Sequence, residues 1–191
     1  MVRASGDEKA ALLLESADVN LQRVRPRRTG APYFGYPLAE ENGECPEPIR
    51  VSYRSFDRQW LIPDPRLIAR PRAPLWSIAG DLQIFVSEQH AHAISDGPGV
   101  TFTCLLPDKH HFNNRGGRVR PLYLDLEGVK PNVSSALLDE LSRRFQSSVN
   151  ALDIGAYIAS VAGHSCYTKC FKEELKKPGI RIPLTGDYSL W

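Results

Sequence analysis

The chain has 191 residues, of which 42% are hydrophobic and 24% are charged, and its formal net charge is +2. This composition excludes collagen-like, coiled-coil and wholly disordered chains, and the length suits about one domain with an attached arm. The longest uncharged apolar runs span only a few residues, whereas a bilayer span needs about 20, so we expect no membrane partner. Because the N-terminus also lacks an apolar stretch of signal-peptide length, we expect a cytoplasmic protein.

The first 48 residues are predicted to form a short helix and an arm. Residues 7–16 combine good helix formers with acidic residues in the first turn. Residues 17–48 are interrupted by Pro and Gly and carry an arginine cluster, a composition typical of a linker. We therefore predict an N-terminal helix and Pro/Gly/Arg-rich arm over 1–48 and one folded domain over 49–191.

The middle of the chain is predicted to be rich in β-strands. Ile49, Val51 and Tyr53 alternate with polar neighbours, so residues 49–60 are predicted to form one half-buried strand. Gly, Asp, Asn and Pro separate the remaining strand candidates. These candidates are residues 74–79, 82–87, 99–106 and 119–124.

After Pro131 the hydrophobic pattern changes to a spacing of three to four residues. This spacing predicts three amphipathic helices, around residues 136–145, 154–161 and 167–175, followed by an extended segment near the C-terminus. Strands that precede helices, rather than alternate with them, indicate the α+β class. We therefore predict a β-rich central region followed by a C-terminal helical cluster.

Motifs of the common enzyme classes are absent: the sequence has no G-x-G-x-x-G, P-loop, G-x-S-x-G or H-E-x-x-H. Glu174 and Lys176 have the E-x-K spacing of magnesium nucleases, but they lie in a predicted amphipathic helix rather than on a strand. His164, Cys166 and Cys170 offer three zinc ligands, but Cys170 is expected to pack as a small hydrophobic side chain. We therefore expect neither a metal nor catalysis by this chain.

Basic side chains are concentrated between residues 50 and 120, where ten positive residues face six negative ones. Two stretches, 53–72 and 107–120, place arginines among aromatic, His and Asn side chains, the types that hold phosphates and read base edges. If residues 66–70 form a helical turn, two of these arginines share one face. The candidate DNA-binding residues are Arg54, Arg58, Arg66, Arg70, Arg72, Lys109, His110, His111, Asn113, Asn114, Arg115, Arg118 and Arg120.

A simpler interpretation of the same stretches is a solvated surface with salt bridges. In either case we assign Tyr53, Phe56 and Trp60 mainly to the hydrophobic core. The charges alone leave both interpretations open.

Several blocks of sequence resemble the C-terminal specificity region of type ISP restriction–modification enzymes. The order and spacing agree over about residues 49–191, although many relatives have Pro at the positions of Ser55 and Ser165. The matching blocks are YRSFDRQW at 53–60, DPRLI at 64–68, PDKHHF at 107–112, GGRVRPL at 116–122, the helical text of 156–171 and PGIRIPLT at 178–185.

This resemblance implies a target recognition domain that binds double-stranded DNA and selects the sequence to be methylated and cut. In that family the region belongs to a large chain with nuclease, ATP-driven translocase and adenine methyltransferase parts. The present sequence has no N-P-P-Y-type methyltransferase motif. S-adenosylmethionine, ATP and Mg are therefore expected to belong to other parts of the enzyme, and this chain to need no cofactor.

A second hypothesis is a protein-interaction module that docks a separately encoded methyltransferase or translocase chain. The modest net charge of +2 keeps this hypothesis open, because domains that bind DNA unaided are often more basic. It predicts an exposed apolar patch on the helices of residues 134–175. A DNA reader instead predicts a contiguous arginine surface around residues 54–72 and 109–120.

Overall fold

The computed structural model describes residues 19–24, 35–68, 71–94, 97–112 and 117–191. The predicted helix over 7–16 lies outside these residues. The strands are β1 (Ile49–Arg54), β2 (Asp57–Leu61), β3 (Phe85–Gln89), β4 (Val100–Thr103), β5 (Leu106–Pro107) and β6 (Gly117–Pro121). The helices are α1 (Ala73–Trp76), α2 (Ser135–Phe145), α3 (Ala151–Gly163) and α4 (Tyr167–Cys170), with 3-10 turns at Leu38–Glu40, Glu174–Lys176 and Tyr188–Leu190.

Strands in the central region and helices toward the C-terminus confirm the predicted α+β class. Within the described residues, none of the helices has the length and apolar character needed to cross a bilayer. The chain divides into two compact units: unit 1 is Met1–Arg50 with Trp60–Ser77, and unit 2 is Val51–Gln59 with Ile78–Trp191. The predicted boundary at residue 48 stays a prediction.

Two three-stranded sheets organise the β-rich region. The first has the strand order β2–β1–β5, in which β1 and β5 run parallel and Ser52 lies opposite Pro107. The second has the order β4–β3–β6 and is antiparallel throughout. Strand alternation in β3 buries Phe85 and Ser87 completely on one face and places Glu88 on the other.

Two hydrophobic clusters of unit 2 hold the C-terminal helices in place. In the first, Val100 of β4 packs with Ala162 of α3 and Tyr167 of α4. In the second, Phe145 of α2 packs with Ile154 of α3, and the C-terminal residue Trp191 covers this cluster. The amphipathic spacing that predicts α2 and α3 thus corresponds to real buried faces.

The third predicted helix, around residues 167–175, is shorter than its apolar spacing suggests. It consists of α4, which is a single turn, followed by the 3-10 turn Glu174–Lys176. Tyr167 and Leu175 are both buried, so the periodic apolar positions still mark the core-facing side chains.

Three strand predictions differ from the structure for local reasons. Residues 49–60 form a hairpin rather than one strand, because Ser55 and Phe56 make a two-residue turn between β1 and β2. Residues 74–79 were expected to be extended, but Pro74 lies in the first turn of α1, where its fixed φ favours a helix. The predicted strand 99–106 is divided into β4 and β5, because Leu105 N donates to Thr103 Oγ1 at 3.0 Å in a turn.

The assignment of Tyr53, Phe56 and Trp60 to the core is wrong, since all three are exposed. Phe56 is fully exposed in the hairpin turn. The strand order places β2 at a sheet edge, and every residue of β2 is exposed or half-buried, so alternation there does not predict burial. Tyr53 instead lies under the Arg54 guanidinium, 4.0 Å from the ring centre.

A buried amide fixes the start of β3. Gln83 is 1% exposed, and its Nε2 donates to the carbonyl oxygens of Ile78 and Tyr123 at 3.1 and 3.0 Å. Its Oε1 accepts from the backbone N–H groups of Ile84, Leu122 and Tyr123, each at 3.1 Å. One side chain therefore satisfies backbone groups from three separate segments.

Replacing this amide tests its contribution to the fold. Gln83→Leu is expected to lower the free energy of unfolding by about 2–4 kcal/mol, because it leaves buried backbone groups without partners. Gln89→Leu is the matched control: it removes a single bond, to Ala93 O at 2.9 Å, and should cost less than about 1 kcal/mol. Urea denaturation of the full chain measures both, and equal losses would contradict this role of Gln83.

Candidate nucleic-acid interface

Parallel pairing of β1 and β5 brings two of the predicted recognition segments together in unit 2. These are the hairpin tip (residues 53–58), where β1 ends and β2 begins, and the 108–112 loop, which follows β5 directly. Arg54 Nη1 donates to Asp108 Oδ1 at 3.2 Å, and Ser55 Oγ lies 3.1 Å from His111 Nε2. Segments more than 50 residues apart in sequence thus form one surface.

Asp108 organises this contact. Its Oδ1 accepts from the Arg54 guanidinium and from the backbone N–H of His110 at 2.7 Å, while its own N–H donates to Ser52 O at 2.9 Å. The His110 bond is the turn that Asp commonly makes with the N–H two residues later. The Arg54 guanidinium is therefore held between a carboxylate and the Tyr53 ring.

His111 lies beneath the loop as a buried, neutral imidazole. Burial, together with the nearby Arg54 guanidinium, lowers the pKa of His111 below its usual 6.5, and Asp108 opposes this only in part. Its Nδ1 is buried and has no hydrogen-bond partner within the described part of the chain. The ring is instead connected to the hairpin tip through the hydrogen bond between Nε2 and Ser55 Oγ.

The described candidates of this surface differ in their exposure. Arg58 and Phe56 of the hairpin tip are exposed, whereas Lys109 and His110 are half-buried. His111 was predicted to be a polar reader of DNA, but its burial places it under the loop, where it supports the residues above it. Of the remaining candidates, four lie outside the described residues: Arg70, Asn113, Asn114 and Arg115.

Arg118 and Arg120 form a second basic group on the edge strand β6. Both side chains are exposed and lie close to Glu88 of β3, at 3.9 Å from Arg118 Nε and 3.4 Å from Arg120 Nη2. Gly117 begins this strand where a Cβ atom would collide with the Lys109 carbonyl oxygen. Only a glycine permits this close approach of the chain on the two sides of the loop.

Arg66 occupies a different environment, inside unit 1. It is 1% exposed, and its guanidinium donates to both oxygens of Asp64 and, at 2.6 Å, to Glu41 Oε2. The Arg66 guanidinium and the Gly43 amide lower the pKa of Glu41 to about 2. Arg66 is therefore a buried structural cation, not an accessible DNA ligand. Arg72, in the same unit, is exposed at the residue before α1.

The helical turn suggested for residues 66–70 is not present in its described part, where residues 65–67 form a turn and a bend. The proposed common face of Arg66 and Arg70 therefore has no support from residues 66–68. The bidentate contact with Asp64, two residues earlier, accounts for the orientation of Arg66 instead.

An open groove of about 510 Å³ lies between α3, α4 and the C-terminal residues of unit 2. Tyr157, Phe171 and Trp191 line it, together with the three residues of the zinc hypothesis. Cys170 was expected to pack in the core, but it is exposed, whereas Tyr167 of the same turn is buried. Across the described ranges, no group of three or more His, Cys, Asp or Glu side chains is placed to hold a metal ion.

Sequence reasoning missed Asp108 and Glu88, which contact arginines of the site, and Ser55, which bonds to His111. The Asp-x-His spacing of residues 108–110 is a local turn signal and could have identified Asp108. The proximity of Glu88 to Arg118 depends on strand register, which the sequence does not specify by itself.

The structural role of Arg66 predicts a large stability loss on its removal. Arg66→Ala is expected to lower the free energy of unfolding by about 3–5 kcal/mol, because it leaves the buried Asp64 carboxylate without its counter-charge. Arg72→Ala removes an exposed arginine of the same unit and should change stability by less than about 0.5 kcal/mol. If chemical denaturation finds the two variants equally stable, the structural role is wrong.

The environment of His111 predicts a pH-dependent stability. Its folded-state pKa is depressed, so the unfolded chain takes up the proton first as the pH falls. Stability present above about pH 6.5 is therefore lost below it, with a slope of at most about 1.4 kcal/mol per pH unit.

His111→Gln should remove this contribution, as measured by urea denaturation between about pH 7.5 and 5. Ser55→Ala keeps the buried imidazole and should retain the pH dependence while lowering stability throughout. Parallel pH curves for the wild type and His111→Gln would refute the assignment.

Comparison with known families places this surface in context. The chain matches the family model described as the type ISP C-terminal specificity domain over residues 18–191, which include the hairpin tip, the 108–112 loop and all of the C-terminal helices. No curated protein and no solved structure matches the chain. The resemblance drawn from the sequence blocks is confirmed, and the family supports a role in target recognition within restriction–modification. The chain belongs to the type ISP C-terminal specificity domain family.

Proposed function

We propose that this chain binds double-stranded DNA sequence-specifically as the target recognition domain of a type ISP restriction–modification enzyme. One observation carries the proposal: two basic segments distant in sequence meet in unit 2 through Arg54–Asp108 and Ser55–His111. The family match supports the same role. The proposal also assigns catalysis to other parts of the enzyme. Those parts would use S-adenosylmethionine, ATP and Mg.

The hairpin tip has the shape and chemistry for groove binding. A two-stranded β-ribbon fits the DNA major groove, which is about 12 Å wide. Arg58 is exposed on this ribbon, and Arg54 is already oriented by Asp108 and Tyr53. An oriented guanidinium loses less conformational entropy on binding than a free side chain, which favours a specific contact.

The exposed Phe56 adds an apolar group at the tip of the ribbon. Apolar side chains on DNA-binding surfaces contact thymine methyl groups or insert between base steps. Because Phe56 lies between Arg54 and Arg58 in the hairpin tip, an apolar contact made by its ring would adjoin two guanidinium groups.

The proposed contacts form a revised set. Arg66 and His111 are excluded because they are buried. Arg70, Arg72, Asn113, Asn114 and Arg115 remain predictions. The contacts supported by exposure or half-exposure in unit 2 are Arg54, Arg58, Lys109, His110, Arg118 and Arg120.

A second candidate function is docking of a methyltransferase or translocase chain. The observation that favours it is the aromatic groove on α3 and α4, which lies within the helices where such an interface was expected. Binding of a purified methyltransferase chain that is lost on Phe171→Glu, with no DNA binding by this chain alone, would support docking over DNA recognition.

The test is selection of duplexes from a random pool by the purified chain at about 50 and 200 mM salt. Enrichment of one motif that survives the higher salt is the expected result. Arg58→Ala should weaken binding to the selected duplex about 5- to 100-fold if Arg58 contacts a base. If Arg58 contacts a phosphate, the substitution should instead lower the slope of log affinity against log salt concentration by about 0.9.

Arg143→Ala is the matched control, since it removes one positive charge from α2, where Arg143 pairs with Glu140. Absence of wild-type binding, or equal affinities for Arg58→Ala and Arg143→Ala, would overturn the proposal.

A further inference from the structure

Glu88 is an acidic side chain among the basic groups of β6. Its side chain is 13% exposed, whereas those of Arg118 and Arg120 are 47% and 51% exposed. His90 Nδ1 lies 2.9 Å from Glu88 Oε1, the same oxygen that both arginines approach. One carboxylate oxygen therefore faces three nitrogen-bearing side chains.

Strand register creates this arrangement. Glu88 lies directly opposite Arg118 in the antiparallel pair of β3 and β6, and Arg120 is opposite Val86 on the same face. Val86 packs against the first hydrophobic cluster, so this face of the sheet is apolar on the Val86 side of Glu88. On the other side of Glu88 the face is exposed to solvent. The carboxylate is fixed at the border, while the two guanidinium groups extend toward solvent.

The ion pairs between Glu88 and the two arginines are long. Charge-assisted N–H···O bonds are usually about 2.7–2.9 Å long, whereas the arginine distances here are 3.4 and 3.9 Å. Each guanidinium carries five N–H donors, and a single shared oxygen cannot satisfy them. Both arginines thus keep donors for another anion, but their charge is already partly offset by Glu88.

We propose that Glu88 is a specificity-determining positioning residue, which aims Arg118 and Arg120 and weakens their attraction for DNA phosphates of any sequence. This inference rests on the proposed DNA-binding function. A random duplex must compete with Glu88 for the arginines. A correct target, which offers further contacts elsewhere on the surface, meets the arginines in the orientation that Glu88 imposes.

Glu88→Gln keeps the shape of the side chain and removes its charge. The variant should bind a random-sequence duplex about three- to tenfold more tightly at about 100 mM salt, with a steeper salt dependence. Affinity for the selected duplex should stay unchanged or fall, so the ratio of specific to random binding drops at least about threefold. Competition binding with both duplexes measures the ratio.

Two further variants separate this effect from a general charge effect and from misfolding. Glu140→Gln makes the same charge change at a carboxylate that also pairs with an arginine, on α2, and should leave the ratio at the wild-type value. Glu88→Asp keeps the negative charge but shortens the side chain by one methylene, which moves the carboxylate away from both arginines. It should bind random duplex about as tightly as the wild type but still have a reduced ratio.

The outcomes are distinct. A wild-type chain that binds no duplex overturns the proposed function and this inference with it. A wild type that selects a motif, with the same ratio in Glu88→Gln or an equal drop in Glu140→Gln, overturns only the role of Glu88. If Glu88→Gln fails to unfold cooperatively, Glu88→Asp decides, and an undiminished ratio there also overturns the role.

Discussion

The candidate interface depends on the carboxylate of Asp108. It connects the Arg54 guanidinium of the hairpin tip to the first turn of the 108–112 loop, and the Asp108 backbone continues the parallel pairing with β1 at Ser52. A surface ion pair of this exposure contributes only about 0–1 kcal/mol to stability. The ion pair matters for geometry, because it keeps the hairpin tip and the 108–112 loop in one relative orientation.

Burial separates the arginines of this chain into two kinds. Arg66 is enclosed with two carboxylates, and its hydrogen bonds to Asp64 and Glu41 make it part of the local structure. Arg54, Arg118 and Arg120 are each held by one carboxylate at 3.2–3.9 Å and keep part of their surface in solvent. The second kind is suited to binding, since a partner anion can reach a guanidinium that is already oriented.

The sequence predicts the long helices and the fold class well, because a buried helical face repeats every three to four residues and α2 and α3 each bury such a face. It predicts the short strands poorly. Their pairing depends on distant partners, and the exposed edge strand β2 has no inward face to produce an alternating pattern of burial. The basic segments of the site were predictable from composition, but the pairing of Glu88 with Arg118 was not, since register is a property of the folded sheet.

The acidic residues within the basic segment reconcile the net charge of +2 with the proposed binding of DNA. Of the six acidic side chains between residues 50 and 120, Asp64, Glu88 and Asp108 each hold an arginine in the structure. These pairs lower the net charge without removing the exposed arginines. Because attraction to phosphates of any sequence grows with the number of free cations, a paired arrangement disfavours non-specific binding. Discrimination between sequences requires oriented donors instead, and in the proposed function Glu88 and Asp108 supply that orientation.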